Sequence, residues 1–181
     1  MNGLVRDVIN ALLENLPEGR RIRVLELGAG TGDRTGHILP ELQPSQVEYW
    51  ITNPAEHFVQ AAADKWRDRP STKVQAFDIS KSPAEQGLPL EGFDVIIGPG
   101  VLTSAADSSA MLRDAGVLLA PDGVLVMPPQ TAPGRWLDVM LGWIRQEPAH
   151  RTDIGLAEKL ALAGFAAPVH IGAESGKDGM T

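Results

Sequence analysis

The sequence predicts an α/β domain with a mainly parallel sheet and helices on both faces. Three observations lead there. Apolar residues alternate between helical spacing and short continuous runs, the run Val24-Leu25-Glu26-Leu27 opens into a glycine-rich loop, and 181 residues is the length of one domain with one core. Strands alternating with helices imply βαβ units, whose crossovers cover both faces of a parallel sheet.

The elements follow in order. Leu4, Val5, Val8, Ile9, Leu12, Leu13 and Leu16 recur at helical spacing, so 3–16 is expected as an amphipathic helix, ended by Pro17 and Gly19. Residues 22–27 read as a strand closed by glycines, 33–42 as a helix and 47–52 as a strand. A helix over 55–67, a strand over 73–77 and a buried strand over 93–97 continue the rhythm. Then come a helix around 107–119, a strand at 123–127, helices around 134–145 and 154–163, and a last strand near 168–172. The domain is expected to span 1–173, with a flexible, glycine-rich polar tail over 174–181.

Composition narrows the partners. A net charge of −7 speaks against nucleic acid, whose phosphates need a concentrated basic surface. The densest basic stretch, Arg20, Arg21 and Arg23, reads as a solvated strand entrance. No apolar run approaches the roughly 18 residues that would span a bilayer, and the N-terminus lacks a secretion signal. With no cysteine there are no disulfides, thiolate metal sites or cysteine nucleophile. Cytoplasmic residence, no membrane partner and no metal are the resulting expectations.

In parallel α/β sheets ligands sit at the carboxyl ends of strands, so the loop after the first strand is the place to look. Gly28, Gly30 and Gly32 permit positive φ and a close approach of backbone to ligand. A dinucleotide fingerprint would need its third glycine at position 33, which is Asp33, and no Walker lysine follows. The G-x-G-x-G spacing with Glu26 two residues before it suits a cofactor with a zwitterionic amino-acid tail. Glu26 can orient an ammonium, and backbone N–H groups can meet a carboxylate. The bland alternative is a strand-to-helix turn that holds no ligand.

Over residues 12–170 the sequence resembles the C-methyltransferase domains of modular polyketide synthases. The resemblance rests on Leu-Pro-Glu-Gly-Arg-Arg-Ile-Arg-Val-Leu-Glu-Leu-Gly-Ala-Gly-Thr-Gly at 16–32, with Ile38-Leu39-Pro40 and Val47-Glu48-Tyr49. Phe77-Asp78-Ile79, Gln86-Gly87, Phe93 to Ile97, Val101-Leu102, Leu118 to Gly123, Arg135 to Asp138 and Leu162 to Phe165 extend it. It implies a Rossmann-like class I methyltransferase fold and S-adenosylmethionine as cofactor. It also implies neighbouring polyketide synthase domains and an acyl carrier protein as partners. Active relatives, by this resemblance, methylate the α-carbon of a carrier-bound β-ketoacyl chain, with a histidine as base and a glutamate orienting it.

This sequence departs from that pattern. Thr103, in Gly100-Val101-Leu102-Thr103-Ser104, occupies the histidine position, and Pro128, in Met127-Pro128-Pro129-Gln130, occupies that of the glutamate. A threonine hydroxyl has no pKa suited to proton abstraction near neutrality. Asn53 stands where the family carries a ribose-binding aspartate, a loss of charge assistance worth about 1–2 kcal/mol. Asp78 still suits an adenine amino group, or serves only as a turn cap. Of the four histidines, His37 and His57 fall in helices as surface or packing residues, and His170 has no companion motif. His150, beside Asp153, is the remaining substitute base. The lid segment the family carries ahead of the first helix does not precede residue 3, and its last antiparallel strand has no clear counterpart at 174–179.

The expected cofactor-binding set is therefore Glu26, Gly28, Gly30, Gly32, Asn53 and Asp78, with S-adenosylmethionine bound weakly or not at all. The expected function is a catalytically silent pseudo-methyltransferase domain with a structural role. The alternatives are an active methyltransferase acting on a carrier-bound polyketide intermediate, and a module that binds cofactor without transfer.

Overall fold

The computed structural model describes residues 2–17, 19–98, 108–127, 137–141 and 156–171. Helix α1 (Asn2–Glu14) leads into strand β1 (Ile22–Glu26), helix α2 (Asp33–Ile38), β2 (Val47–Asn53), α3 (Glu56–Lys65), β3 (Thr72–Ala76) and β4 (Phe93–Ile97). Helix α4 (Ser108–Leu118), β5 (Leu119–Met127), β6 (Leu137–Leu141), α5 (Leu156–Leu162) and β7 (Pro168–Ile171) complete the described chain. Alpha geometry in α2 stops at Ile38 and a 3-10 turn, Leu39–Glu41, follows, because Pro40 has no N–H with which to continue the ladder.

The strands form one sheet in the order β3-β2-β1-β4-β5-β6-β7. The first five in that order run parallel, the mainly parallel class I methyltransferase arrangement that the sequence predicts. Strand β1 therefore lies inside the sheet, flanked by β2 and β4. Its carboxyl end sits where the strand order reverses, and there the crossovers to either side leave a crevice for a ligand.

Alternate residues of each central strand enter separate cores. Val24, Tyr49, Ile51, Val95, Ile97, Val124 and Val126 face one side and pack with Val5 and Ile9 of α1 and Ile38 of α2. Leu25, Ile96, Leu125 and Met127 face the other, against Leu112 and Leu118 of α4 and Leu160 of α5. Burial on both faces is why β1 and β4 read as nearly continuous apolar runs. Glu26 is the exception: a carboxylate on the first face with no exposed surface.

Two expectations change. The helix expected over 134–145 is a strand across 137–141, antiparallel to β5 through Leu141↔Val124 and Met140↔Leu125 and antiparallel to β7 through Asp138↔His170. The segment Leu-Asp-Val-Met-Leu is apolar at four of five positions, a run too short for apolar spacing to tell helix from strand. Pairing along both edges satisfies its backbone groups and decides between them. The antiparallel strand sought after 172 thus stands ahead of β7, at β6. The proposed tail, 174–181, lies outside the described residues.

Candidate functional site

Strand β1 ends at Glu26, and the chain leaves the sheet through Leu27 to Gly32. Gly28, Gly30 and Gly32 hold φ of 62°, 57° and 76°, left-handed values that a Cβ would strain. The loop is pinned by its neighbours. Leu27 N–H donates to the Ile97 carbonyl (2.9 Å) and Ala29 N–H to the Thr52 carbonyl (2.9 Å). The Thr52 hydroxyl donates to the Glu26 carbonyl at 2.8 Å. A Cβ on Gly30 would meet nothing nearer than the Gly28 carbonyl oxygen, 4.0 Å away, so space lies beside the backbone where a ligand tail would run.

On the same rim is a cleft of about 240 Å³, walled by Leu27 and Gly28, by Asn53 and Pro54 after β2, and by Phe77, Asp78 and Ile79 after β3. Strands β2 and β3 are paired to their ends, Asn53 opposite Ala76, which brings the two expected side chains to one crevice with the glycine loop. A smaller cavity of about 90 Å³ lies behind the loop against Phe58, Val59, Ala62 and Trp66.

The acceptors of this site are partly committed to the protein itself. Asn53 Oδ1 accepts the Ala55 N–H at 2.9 Å, an Asx turn ahead of α3. Asp78 Oδ1 accepts the Ser80 N–H (3.0 Å) and hydroxyl (2.6 Å), and Lys81 Nζ lies 3.3 Å from Oδ2. The Ser80 hydroxyl, then its N–H, hold the Asp78 carboxyl below its ordinary pKa; Lys81 adds to this and slight burial opposes it.

Glu26 differs. Its Oε2 accepts from Thr35 Oγ1 (2.6 Å) and from Tyr49 OH (3.0 Å), while Oε1 has no hydrogen-bond partner and faces Arg34 Nη1 at 3.8 Å. Burial raises its pKa against the pull of Thr35, Arg34 and Tyr49. Tyr49 is raised well above its usual value, by burial first and then by the adjacent Glu26 charge. Residue-by-residue reading of the sequence missed Tyr49, Thr35 and Thr52. One signal for Tyr49 was available: it is the chain's single tyrosine, set between the apolar Val47 and Ile51 at strand spacing, and a buried phenol needs a partner.

No histidine lines the described cleft. His37 Nδ1–H donates to the Asp33 carbonyl at 2.6 Å within α2, and His57 packs on Phe58 with ring centres 4.1 Å apart. The expected degenerate positions Thr103 and Pro128, and the substitute pair His150 and Asp153, lie outside the described residues, as does the side chain of His170. Among the described residues no cluster of three His, Asp or Glu could hold a metal, and no helix is long and apolar enough to cross a membrane.

Residues 25–125 match a family described as "Methyltransferase domain". The chain is 40% identical to the CurJ carbon methyltransferase, with a TM-score of 0.68 over 73% of this chain and 35% of that one. It is 30% identical to the trans-methyltransferase CalH, solved in complex with SAH, with a TM-score of 0.61 over 72% of this chain and 37% of that one. A highly reducing polyketide synthase of Aspergillus nomiae, rstn3, is 32% identical over 141 residues, 75% of this chain but only 6% of the synthase. The chain thus spans about a third of the solved domains and a small fraction of that synthase.

Proposed function

Because the chain belongs to the methyltransferase domain family, we propose that it is the methyltransferase-fold domain of a polyketide synthase, catalytically silent and kept for its structural role. Its partners in this reading are neighbouring synthase domains and an acyl carrier protein, in the cytoplasm. One observation carries the silence. Among the described lining residues of the cleft the ionisable side chain is Asp78, held low by Ser80, and the silence is read from the sequence. The two positions where the family pattern places a base and its orienting carboxylate hold Thr103 and Pro128, neither of which takes up a proton near pH 7.

S-adenosylmethionine, when bound to such a fold, supplies an electrophilic methyl group. The loop Gly28–Gly32 has the open backbone such a cofactor needs, and at its root lies Glu26, buried and lining neither cavity, whose Oε1 has no hydrogen bond and faces Arg34 at 3.8 Å. Asn53 fits less well. It is uncharged, and its Oδ1 already serves Ala55, so ribose hydroxyls meet a weaker acceptor than a free carboxylate.

Two measurements test this reading. Calorimetric titration with S-adenosylmethionine should give a dissociation constant weaker than about 10 micromolar, or about −7 kcal/mol. Mass spectrometry of a carrier-bound β-ketoacyl thioester should show no gain of one methylene. Methylation by the unaltered chain would overturn the silent assignment. The intact loop favours a second reading, cofactor binding without transfer, for which tight titration without methylation is the signature.

A further inference from the structure

The wall of the cleft beyond β3 is held by one side chain that the site description does not use. Gln86 ends the 3-10 turn Pro83–Gln86, eight residues past Asp78, and its amide reaches back to it. Gln86 Oε1 accepts the Asp78 N–H at 2.8 Å. Its Nε2 shares two hydrogens among the carbonyls of Asp78 (2.9 Å), Lys81 (3.1 Å) and Ser82 (3.2 Å). The Gln86 carbonyl in turn accepts from Gln75 Nε2 at 2.6 Å, which ties the turn to β3. Only a side-chain amide joins an acceptor and a two-hydrogen donor on one carbon: a carboxylate cannot donate, and an ammonium cannot accept.

Both backbone groups of Asp78 are therefore gripped by a single residue, and the backbone angles that aim its carboxylate are set before any ligand arrives. Phe77 N–H, donating to the Asn53 carbonyl at 3.1 Å, fixes the preceding peptide to β2. The Asp78 carboxylate is half-buried and lines the cleft.

We propose that Gln86 is a positioning residue: through the backbone of Asp78 it aims that carboxylate at an amino group on the edge of a heteroaromatic ring bound in the cleft. This rests on reading the cleft as an adenosine site. It gives the strand-to-turn segment 77–86 a recognition role that is independent of methyl transfer, and so holds for a silent domain as well.

Ligand selectivity tests it, because selectivity is untouched by a general loss of folded protein. S-adenosylhomocysteine and its inosine analogue, in which a carbonyl replaces the ring amino group, would be titrated to millimolar concentration by NMR. The wild-type chain should prefer the amino-bearing ligand about tenfold, the worth of one charge-assisted hydrogen bond at a part-exposed site. Gln86→Ala should bring that ratio close to one. Ile9→Val, a change on α1 in the core on the other face of the sheet from Leu27 and Phe77, should leave the ratio intact. If the alanine variant does not fold, Gln86→Glu, which keeps the acceptor but loses the donors, should still reduce the ratio.

An undiminished ratio in Gln86→Ala overturns the positioning role alone. A wild-type chain that binds neither ligand, or both equally, overturns the adenosine reading of the cleft and the inference with it, while the silent assignment stands.

Discussion

Tyr49 donates its hydroxyl to Glu26 at 3.0 Å across the β1–β2 boundary, with both side chains wholly buried. The carboxylate at the root of the glycine loop is thereby anchored to the next strand. One of its oxygens is left without a hydrogen-bond partner. Such an atom is expensive to bury, about 1–3 kcal/mol and more when charged, so it is a sensitive place to test the site.

The first prediction concerns pH. The folded-state pKa of Glu26 is raised, so the folded chain holds the proton more tightly than the unfolded one. That stabilisation is complete below the ordinary carboxyl value and is lost as pH rises through the raised folded value. Glu26→Gln keeps an acceptor for Thr35 and Tyr49 and removes the titration. The thermal stability of the variant should decline less than that of the wild type as pH rises from the ordinary carboxyl value through the raised folded value. A steeper decline in the glutamine variant would show that the buried charge is stabilising.

Asn53→Asp should tighten S-adenosylmethionine binding by about five- to tenfold, because a charged acceptor strengthens bonds from ribose hydroxyls. The aspartate can still accept from Ala55 N–H, so thermal stability should change little. Paired calorimetric titrations check this, and unchanged affinity would remove Asn53 from the cofactor site.

On the silent reading, methyl transfer should need two changes. Thr103→His alone should yield little methylated carrier, since nothing at position 128 would orient the new ring. Thr103→His with Pro128→Glu should yield more, measured as the methylene mass gain on a β-ketoacyl carrier. Equal products from the single and double variants would show that no orienting carboxylate is needed.

Gly123→Ala should destabilise the domain by about 1–3 kcal/mol. A Cβ there would sit 2.8 Å from Leu119 Cδ2, 2.9 Å from the Ala120 carbonyl and 3.0 Å from the Phe93 carbonyl, and two of those atoms are backbone that cannot step aside. The midpoint of denaturant unfolding should fall with its slope unchanged. S-adenosylmethionine affinity of the remaining folded protein should not move.

The sequence made the parallel half of the sheet legible because burial on two faces writes long apolar strands between amphipathic helices, and glycines at 28, 30 and 32 mark the turn that follows. Strand β6 was not legible: five residues between unlike neighbours carry no period, and pairing on both edges decides their conformation. Asn53 and Asp78 were found because the family resemblance places its ribose and adenine partners at the ends of the second and third strands. Tyr49, Thr35 and Gln86 were missed because their partners are distant in the chain or are backbone groups, which leave no mark in a side-chain pattern.

The pairing of β4 with β5 is interrupted once. Two steps along β4, from Phe93 to Val95, are matched by five along β5, from Leu119 to Val124. The surplus is extruded at Pro121 and Asp122, both exposed, with Asp122 at φ 63°. These residues oppose nothing, so the strand carries chain length there that its register does not use. A residue gained or lost at this point would fall on the surface, while Leu125 and Val126 keep their places opposite Ile96 and Ile97. It is also where a short reporter peptide could be inserted to follow the domain, at the end of the sheet opposite the glycine loop.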